Sequence, residues 1–118
     1  MKTAAELIAE AKSRITQVTP DEVRERRARG EAFTLLDVRE PNEWGAGHIP
    51  GAMHIPRGIM EGAIETRIPR EQEVVIYCAS GNRSAFAADV LQQMGYRKVS
   101  SMSGGIKGWA DAGGEVES

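Results

Sequence analysis

Apolar positions along the chain follow two rhythms that take turns. Leu7, Ile8, Ala11 and Ile15 recur at helical spacing behind Thr3 and Glu6. Thr3 and Glu6 stand at the spacing of a capping box, so the pattern predicts an amphipathic helix over residues 4–14. Residues 15–18 read as a short strand. Thr19-Pro20-Asp21-Glu22 is a second helix start, with proline at the first helical position. That helix runs through Val23 and a basic stretch, Arg24 to Arg29, and stops at Gly30. Phe33 to Val38 is a compact apolar run ending in charge, the mark of a buried strand. Residues 39–57 are rich in Pro and Gly and predict mostly loop, with one helical turn at 42–44. Weak helical spacing covers 58–68. Val74-Val75-Ile76-Tyr77 is β-branched and aromatic, and is the clearest strand of the chain. A helix over 84–94 stops at Gly95, a strand follows over 99–102, and a last helix over 106–112. The tail, 113–118, is expected to fray.

Strand and helix alternate, which predicts an α/β domain with a parallel sheet. The length of 118 residues suits one domain with a real core. With 41% hydrophobic and 27% charged residues, the composition is that of a globular chain rather than a disordered one. The formal net charge of -2 argues against a nucleic-acid or anionic-membrane partner, so an anion site would have to be built locally. The basic stretch Arg24 to Arg29 contains Glu25 and reads as a solvated face. No apolar run approaches the ~20 residues of a membrane span. The single cysteine allows no internal disulfide and suits a reducing compartment. The N-terminal residues lack the pattern of a secretory signal, so the cytoplasm is the expected location.

That cysteine is the strongest chemical candidate. Cys78 directly follows the clearest strand, and ligands in open parallel sheets bind beyond the carboxyl ends of strands. The segment Ala79-Ser80-Gly81-Asn82-Arg83-Ser84 is short, small and polar, and leads into a helix. Such a turn aims successive backbone N–H groups inward as a nest for an anion, and the helix N-terminus adds partial positive charge. Arg83 adds a full charge. The same field favours the thiolate, which is the nucleophile. Gly81 supplies a positive φ without strain. The plainer alternative is a buried structural cysteine closing a strand.

Three stretches in order then carry a resemblance. They are Leu36-Asp37-Val38-Arg39-Glu40 with Glu43 and Gly47-His48-Ile49-Pro50-Gly51-Ala52, then Val75-Ile76-Tyr77-Cys78 with its loop, then Gly104-Gly105-Ile106-Lys107-Gly108-Trp109 with Gly113. On these, the chain from about Val18 to Val116 resembles a single-domain rhodanese, a sulfurtransferase. The resemblance implies a five-stranded, mostly parallel sheet with helices on both faces. Residues 18–118 would form that domain and 1–17 a helical extension packed on it as a satellite. It implies that Cys78 takes a sulfane sulfur from thiosulfate or a similar donor. The Cys78 persulfide would be held by Ala79, Ser80, Gly81, Asn82, Arg83 and Ser84, and passed to cyanide or a thiol, including a protein thiol. No metal or organic cofactor is implied.

Related tyrosine phosphatases and arsenate reductases carry a loop one residue longer between cysteine and arginine. The shorter loop here suits one sulfur atom better than a tetrahedral phosphate. A persulfide carrier that does not turn over is a further alternative. Many thiosulfate-using members place a basic residue after the cysteine, where this chain has Ala79. Asp37 and Arg39 stand at the neighbouring strand end, either shaping the pocket or forming a structural ion pair. His48 reads as a turn-fixing ring rather than a base and His54 as still less of a base, Trp44 and Trp109 as packing residues, and Met60 as overhanging the pocket.

Overall fold

The computed structural model describes all of residues 1–118. Five strands form one sheet in the order β1 (Thr16–Val18), β5 (Val99–Met102), β4 (Val74–Tyr77), β2 (Thr34–Asp37), β3 (Met53–His54). Every pairing is parallel, where the resemblance implied a mostly parallel sheet. The helices are α1 (Ala4–Ser13), α2 (Pro20–Ala28), α3 (Pro41–Ala46), α4 (Met60–Arg67), α5 (Asn82–Gln93) and α6 (Gly105–Asp111). A 3-10 turn, Arg57–Ile59, leads into α4.

The central strand shows why its sequence is apolar without alternation. Val74, Ile76 and Cys78 enter a core shared with Ile64 of α4 and Ala87, Ala88 and Leu91 of α5. Val75 and Tyr77 enter a second core with Val23 of α2 and Trp109 of α6. A parallel strand covered on both faces must be apolar on both. Cys78 therefore emerges on the α4/α5 face of the sheet.

Several expectations change. The strand β3 was not predicted; it is an edge strand of two residues between Pro/Gly-rich turns, too short to carry a period. The helix α3 is longer than the single turn predicted, because Pro41 starts it and Glu43 accepts from the Glu40 N–H at 2.9 Å. The tail is tied down rather than frayed. His48 and Glu117 exchange backbone hydrogen bonds, and the Trp109 indole donates to the Glu115 carbonyl. The basic face of α2 is not merely solvated. Arg26 pairs with Glu73 and Glu31, Arg27 donates to the Pro50 carbonyl, and Arg24 to the Ala112 carbonyl. Met60 does not overhang any pocket; it is fully buried in the α4/α5 core.

Helix α1 packs along α5. Arg14 makes a bidentate pair with Asp89, and the Gln92 amide donates to the Arg14 carbonyl. The chain then enters β1, whose residues pair with β5.

Candidate active site

Helix α5 begins at Asn82, two residues earlier than its sequence pattern suggests, and its cap is Gly81 at φ +106°. The loop after Cys78 is thus partly the first turn of a helix. That turn has backbone N–H groups with no partner inside the helix. Two such groups converge on one atom: Gly81 N–H and Ser84 N–H donate to Cys78 Sγ at 3.1 and 3.3 Å. The Ser84 hydroxyl lies 3.4 Å from the same sulfur. Burial disfavours the thiolate, but the Ser84 hydroxyl and the N–H groups of Ser84, Gly81 and Ser80 outweigh it and hold the Cys78 thiol below its usual range.

The loop keeps this orientation because its carbonyls are turned the other way. The Ile106 and Lys107 N–H groups, in the first turn of α6, donate to the Cys78 and Ala79 carbonyls at 2.9 and 3.2 Å. That approach requires Gly105, which sits at φ +58°, and any Cβ there would run into both carbonyls. Gly81 also lies close to the other side, where a Cβ would stand 3.2 Å from the Gly104 N. The two glycines of the Gly104-Gly105 pair thus shape the cradle from outside it.

Arg83 lies in the first turn of α5 but its guanidinium does not point at the sulfur as a free charge. It forms a bidentate pair with Glu43 of α3, at 2.7 and 2.9 Å. The Arg83 hydrogen bonds hold the Glu43 carboxyl down to about 2. Glu43 stood in the sequence motif without a role, and its partner could not be read from spacing, because the two residues are 40 positions apart.

Asp37 and Arg39 are brought together, and to each other. Both are buried, and Arg39 donates to the Asp37 carboxylate through Nε and Nη2 and to the Gly47 carbonyl at 2.7 Å. The pair fastens the end of β2 to the turn before Ile49. His48 Nδ1 lies 3.0 Å from the Trp44 carbonyl, and His54 Nε2 2.8 Å from the Arg39 carbonyl. The indole of Trp44 is stacked against both imidazoles. Ala79 is half-buried, and Ser80 and Asn82 are exposed.

Between α3, α6 and the tail lies a groove of about 410 Å³, lined by Ala46, Ile106, Ala110 and Val116 together with Glu43 and Lys107, which are partners of the loop rather than members of it. A larger cavity, about 680 Å³, lies between α2 and the tail around Arg24, Arg27 and Trp109. Neither cavity is lined by Cys78 or by any residue of the loop, so size does not select between them.

Comparison with known proteins gives the family and the fold. The model of the rhodanese-like domain matches residues 19–112. The chain belongs to the rhodanese-like family. Among relatives, a sulfurtransferase of Allochromatium vinosum is 36% identical over 99 residues, spanning 84% of this chain and 92% of its own. The probable adenylyltransferase/sulfurtransferase MoeZ of Mycobacterium tuberculosis is 36% identical over 94 residues. There the match spans 79% of this chain but only 24% of the relative, so the rhodanese-like chain covers about a quarter of that protein's length. Among solved structures, a protein of unknown function from Rhodopseudomonas palustris, described as a possible tyrosine phosphatase, superposes with a TM-score of 0.90 at 33% identity. It covers 99% of this chain and 96% of its own, so it shares α1 as well as the family core.

Proposed function

We propose that this rhodanese-like chain is a sulfurtransferase, with Cys78 as the nucleophile that carries the sulfur. The observation that bears the most weight is the convergence of the Gly81 and Ser84 N–H groups on Cys78 Sγ at the start of α5. A buried site of this kind holds a single sulfur anion without needing a bound cation.

The Cys78 thiolate attacks the outer sulfur of thiosulfate or a related donor. A new S–S bond forms, the donor's own S–S bond breaks, and its electron pair leaves with sulfite. The Cys78 persulfide anion that results rests against the N–H groups of the loop. An acceptor thiolate then attacks the outer sulfur, leaves as a persulfide, and regenerates the Cys78 thiolate. Cyanide in the same role leaves as thiocyanate. No net oxidation is needed, and no cofactor takes part. The acceptor thiol can be that of a small molecule or one on a protein.

The phosphatase reading has one specific observation in its favour, the description of the Rhodopseudomonas neighbour. Against it stands Arg83. A phosphate needs a free guanidinium to bridge its oxygens, and here both of the outer nitrogens are given to Glu43. Only four residues separate Cys78 from Arg83. We further propose that α1 is accessory to the site, that Asp37 and Arg39 support the fold rather than the chemistry, and that the chain works in the reducing cytoplasm. No helix is long and apolar enough to cross a membrane.

Intact mass after incubation with thiosulfate tests the central claim. The wild-type chain should gain one sulfur, and Cys78→Ser should gain none. A gain that survives in Cys78→Ser, or no gain with any sulfane donor, would overturn it. Aryl-phosphate hydrolysis lost in Cys78→Ser would favour the phosphatase instead. A stable persulfide that neither cyanide nor any thiol can discharge would favour a carrier.

A further inference from the structure

Behind the sulfur lies a second hydroxyl that the loop itself does not contain. Ser101 sits on β5, in register with Ile76 of β4, and so points to the sheet face from which Cys78 emerges. Its Oγ is 2.8 Å from Ser84 Oγ, which in turn is 3.4 Å from Cys78 Sγ. All three side chains are fully buried. Ser84 is the only hydrogen-bond partner of the Ser101 hydroxyl.

The hydrogens of this chain can be counted in each state of the sulfur. With Cys78 as an anion there are two hydroxyl hydrogens, and each finds an acceptor within the row. Ser101 donates to Ser84, Ser84 donates to the sulfur, and nothing is left over. With Cys78 as a thiol there are three hydrogens. If the thiol donates to Ser84 and Ser84 to Ser101, the Ser101 hydrogen has no acceptor, since Ser84 is its only partner. If instead Ser101 and Ser84 donate toward the sulfur, the thiol hydrogen is the orphan. A buried donor without a partner is costly, so the row is complete only around an anion.

We propose that Ser101 is a positioning residue: its hydroxyl donates to Ser84 and so commits the Ser84 hydrogen to the anionic sulfur of Cys78, whether thiolate or persulfide. On ionisation the thiol proton leaves to solvent and the two hydroxyls turn together toward the sulfur. The role rests on Cys78 being the reactive group. It does not depend on which sulfur donor is used.

The charged groups near the sulfur are paired, although Arg83 still attracts the thiolate. Arg83 on α5 is paired with Glu43 of α3, and at the end of β2 Asp37 and Arg39 are paired with each other. The neighbouring Ser100 provides an internal control. Its hydroxyl is also buried on β5 but points to the opposite face and has no partner.

The test is the pH profile of Cys78 alkylation by iodoacetamide, which reads the thiolate without any sulfur donor and stays informative even if sulfur transfer fails. Ser101→Ala should move the midpoint up by about half a pH unit, a loss of roughly 3-fold in rate below it. Ser101→Thr, which keeps the hydroxyl, should restore most of that shift, and Ser100→Ala should leave the midpoint in place. In a Ser84→Ala background, Ser101→Ala should add nothing, because its effect passes through Ser84. An unchanged midpoint in Ser101→Ala would overturn the proposal. So would equal shifts in Ser101→Ala and Ser100→Ala, or full additivity with Ser84→Ala.

Discussion

The ends of β4 and β2 lie side by side on the same rim of the sheet, and each presents polar side chains where a ligand is expected. They have opposite fates. At the end of β2, Asp37 and Arg39 satisfy one another, and Arg39 gives its remaining capacity to the Gly47 carbonyl. At the end of β4, the Gly81 and Ser84 N–H groups point to one sulfur atom, with the loop carbonyls held away by α6. Charge density alone would select the β2 end. What marks the β4 end is donor capacity aimed at a single polarisable atom and not used up by structure.

Changes at the two ends should therefore separate stability from reactivity. The largest effect on folding is expected from Asp37→Asn, which leaves the Arg39 guanidinium buried without its counter-charge. Denaturant unfolding should show a loss of about 3–5 kcal/mol. The alkylation midpoint of Cys78 in the protein that remains folded should not move. A shifted midpoint at undiminished stability would reverse the assignment of the two ends.

Gly105→Ala strikes the β4 end from outside. The methyl group would displace the Cys78 and Ala79 carbonyls, and the φ of +58° adds strain. A destabilisation of about 2–3 kcal/mol is expected, together with a Cys78 midpoint raised toward that of an ordinary thiol. Persulfide formation at wild-type rate would show that the cradle does not depend on α6.

Glu43→Gln sharpens the comparison by restoring a free charge to the loop. Arg83 would then face the pocket unneutralised, and reaction with the thiosulfate dianion should speed up several-fold at low salt, less so at high salt. A slower reaction would mean that Glu43 is needed to place Arg83. The same variant has a signature in acid. Glu43 is held at about 2 in the folded chain against an ordinary value of 4.5. Its contribution to stability is complete above about 4.5 and is lost as pH falls through about 2. That part of the acid limb should be missing in Glu43→Gln.

The smallest effect is expected far from both ends. Removing residues 1–14 takes away the Arg14–Asp89 pair and the buried Ala11, and should cost some stability. Persulfide formation per folded molecule should stay at the wild-type level. Its loss in a folded truncated chain would make α1 part of the functional unit.

Much of this organisation was legible in the residues. Val74 to Tyr77 matched its strand because a strand covered on both faces must be a continuous apolar run, which few other contexts produce. The sequence pattern starts α5 late, at Ser84, since Asn82 and Arg83 carry no apolar period and helix ends depend on cap geometry. Strand β3 has no sequence signature, because two residues cannot display alternation. The arginines of α2 looked solvated, yet Arg26 and Arg24 reach partners that are remote in the chain. Ser101 has no signature in the sequence: a serine in a strand carries no signal until the fold places it behind Ser84.

By itself, then, the amino-acid order determined the alternation of elements, the family, and the candidate nucleophile after the central strand. These depend on local periodicity and on contiguous motifs, which are properties of neighbours along the chain. Tertiary structure alone decided which polar groups stay available. It neutralised Arg83 with Glu43, closed Asp37 on Arg39, turned two carbonyls toward α6, and set two serine hydroxyls in a row behind the sulfur. Each of these outcomes is a pairing across the fold, and a hydrogen bond or ion pair between distant residues is specified by where the backbone brings them rather than by their separation in sequence.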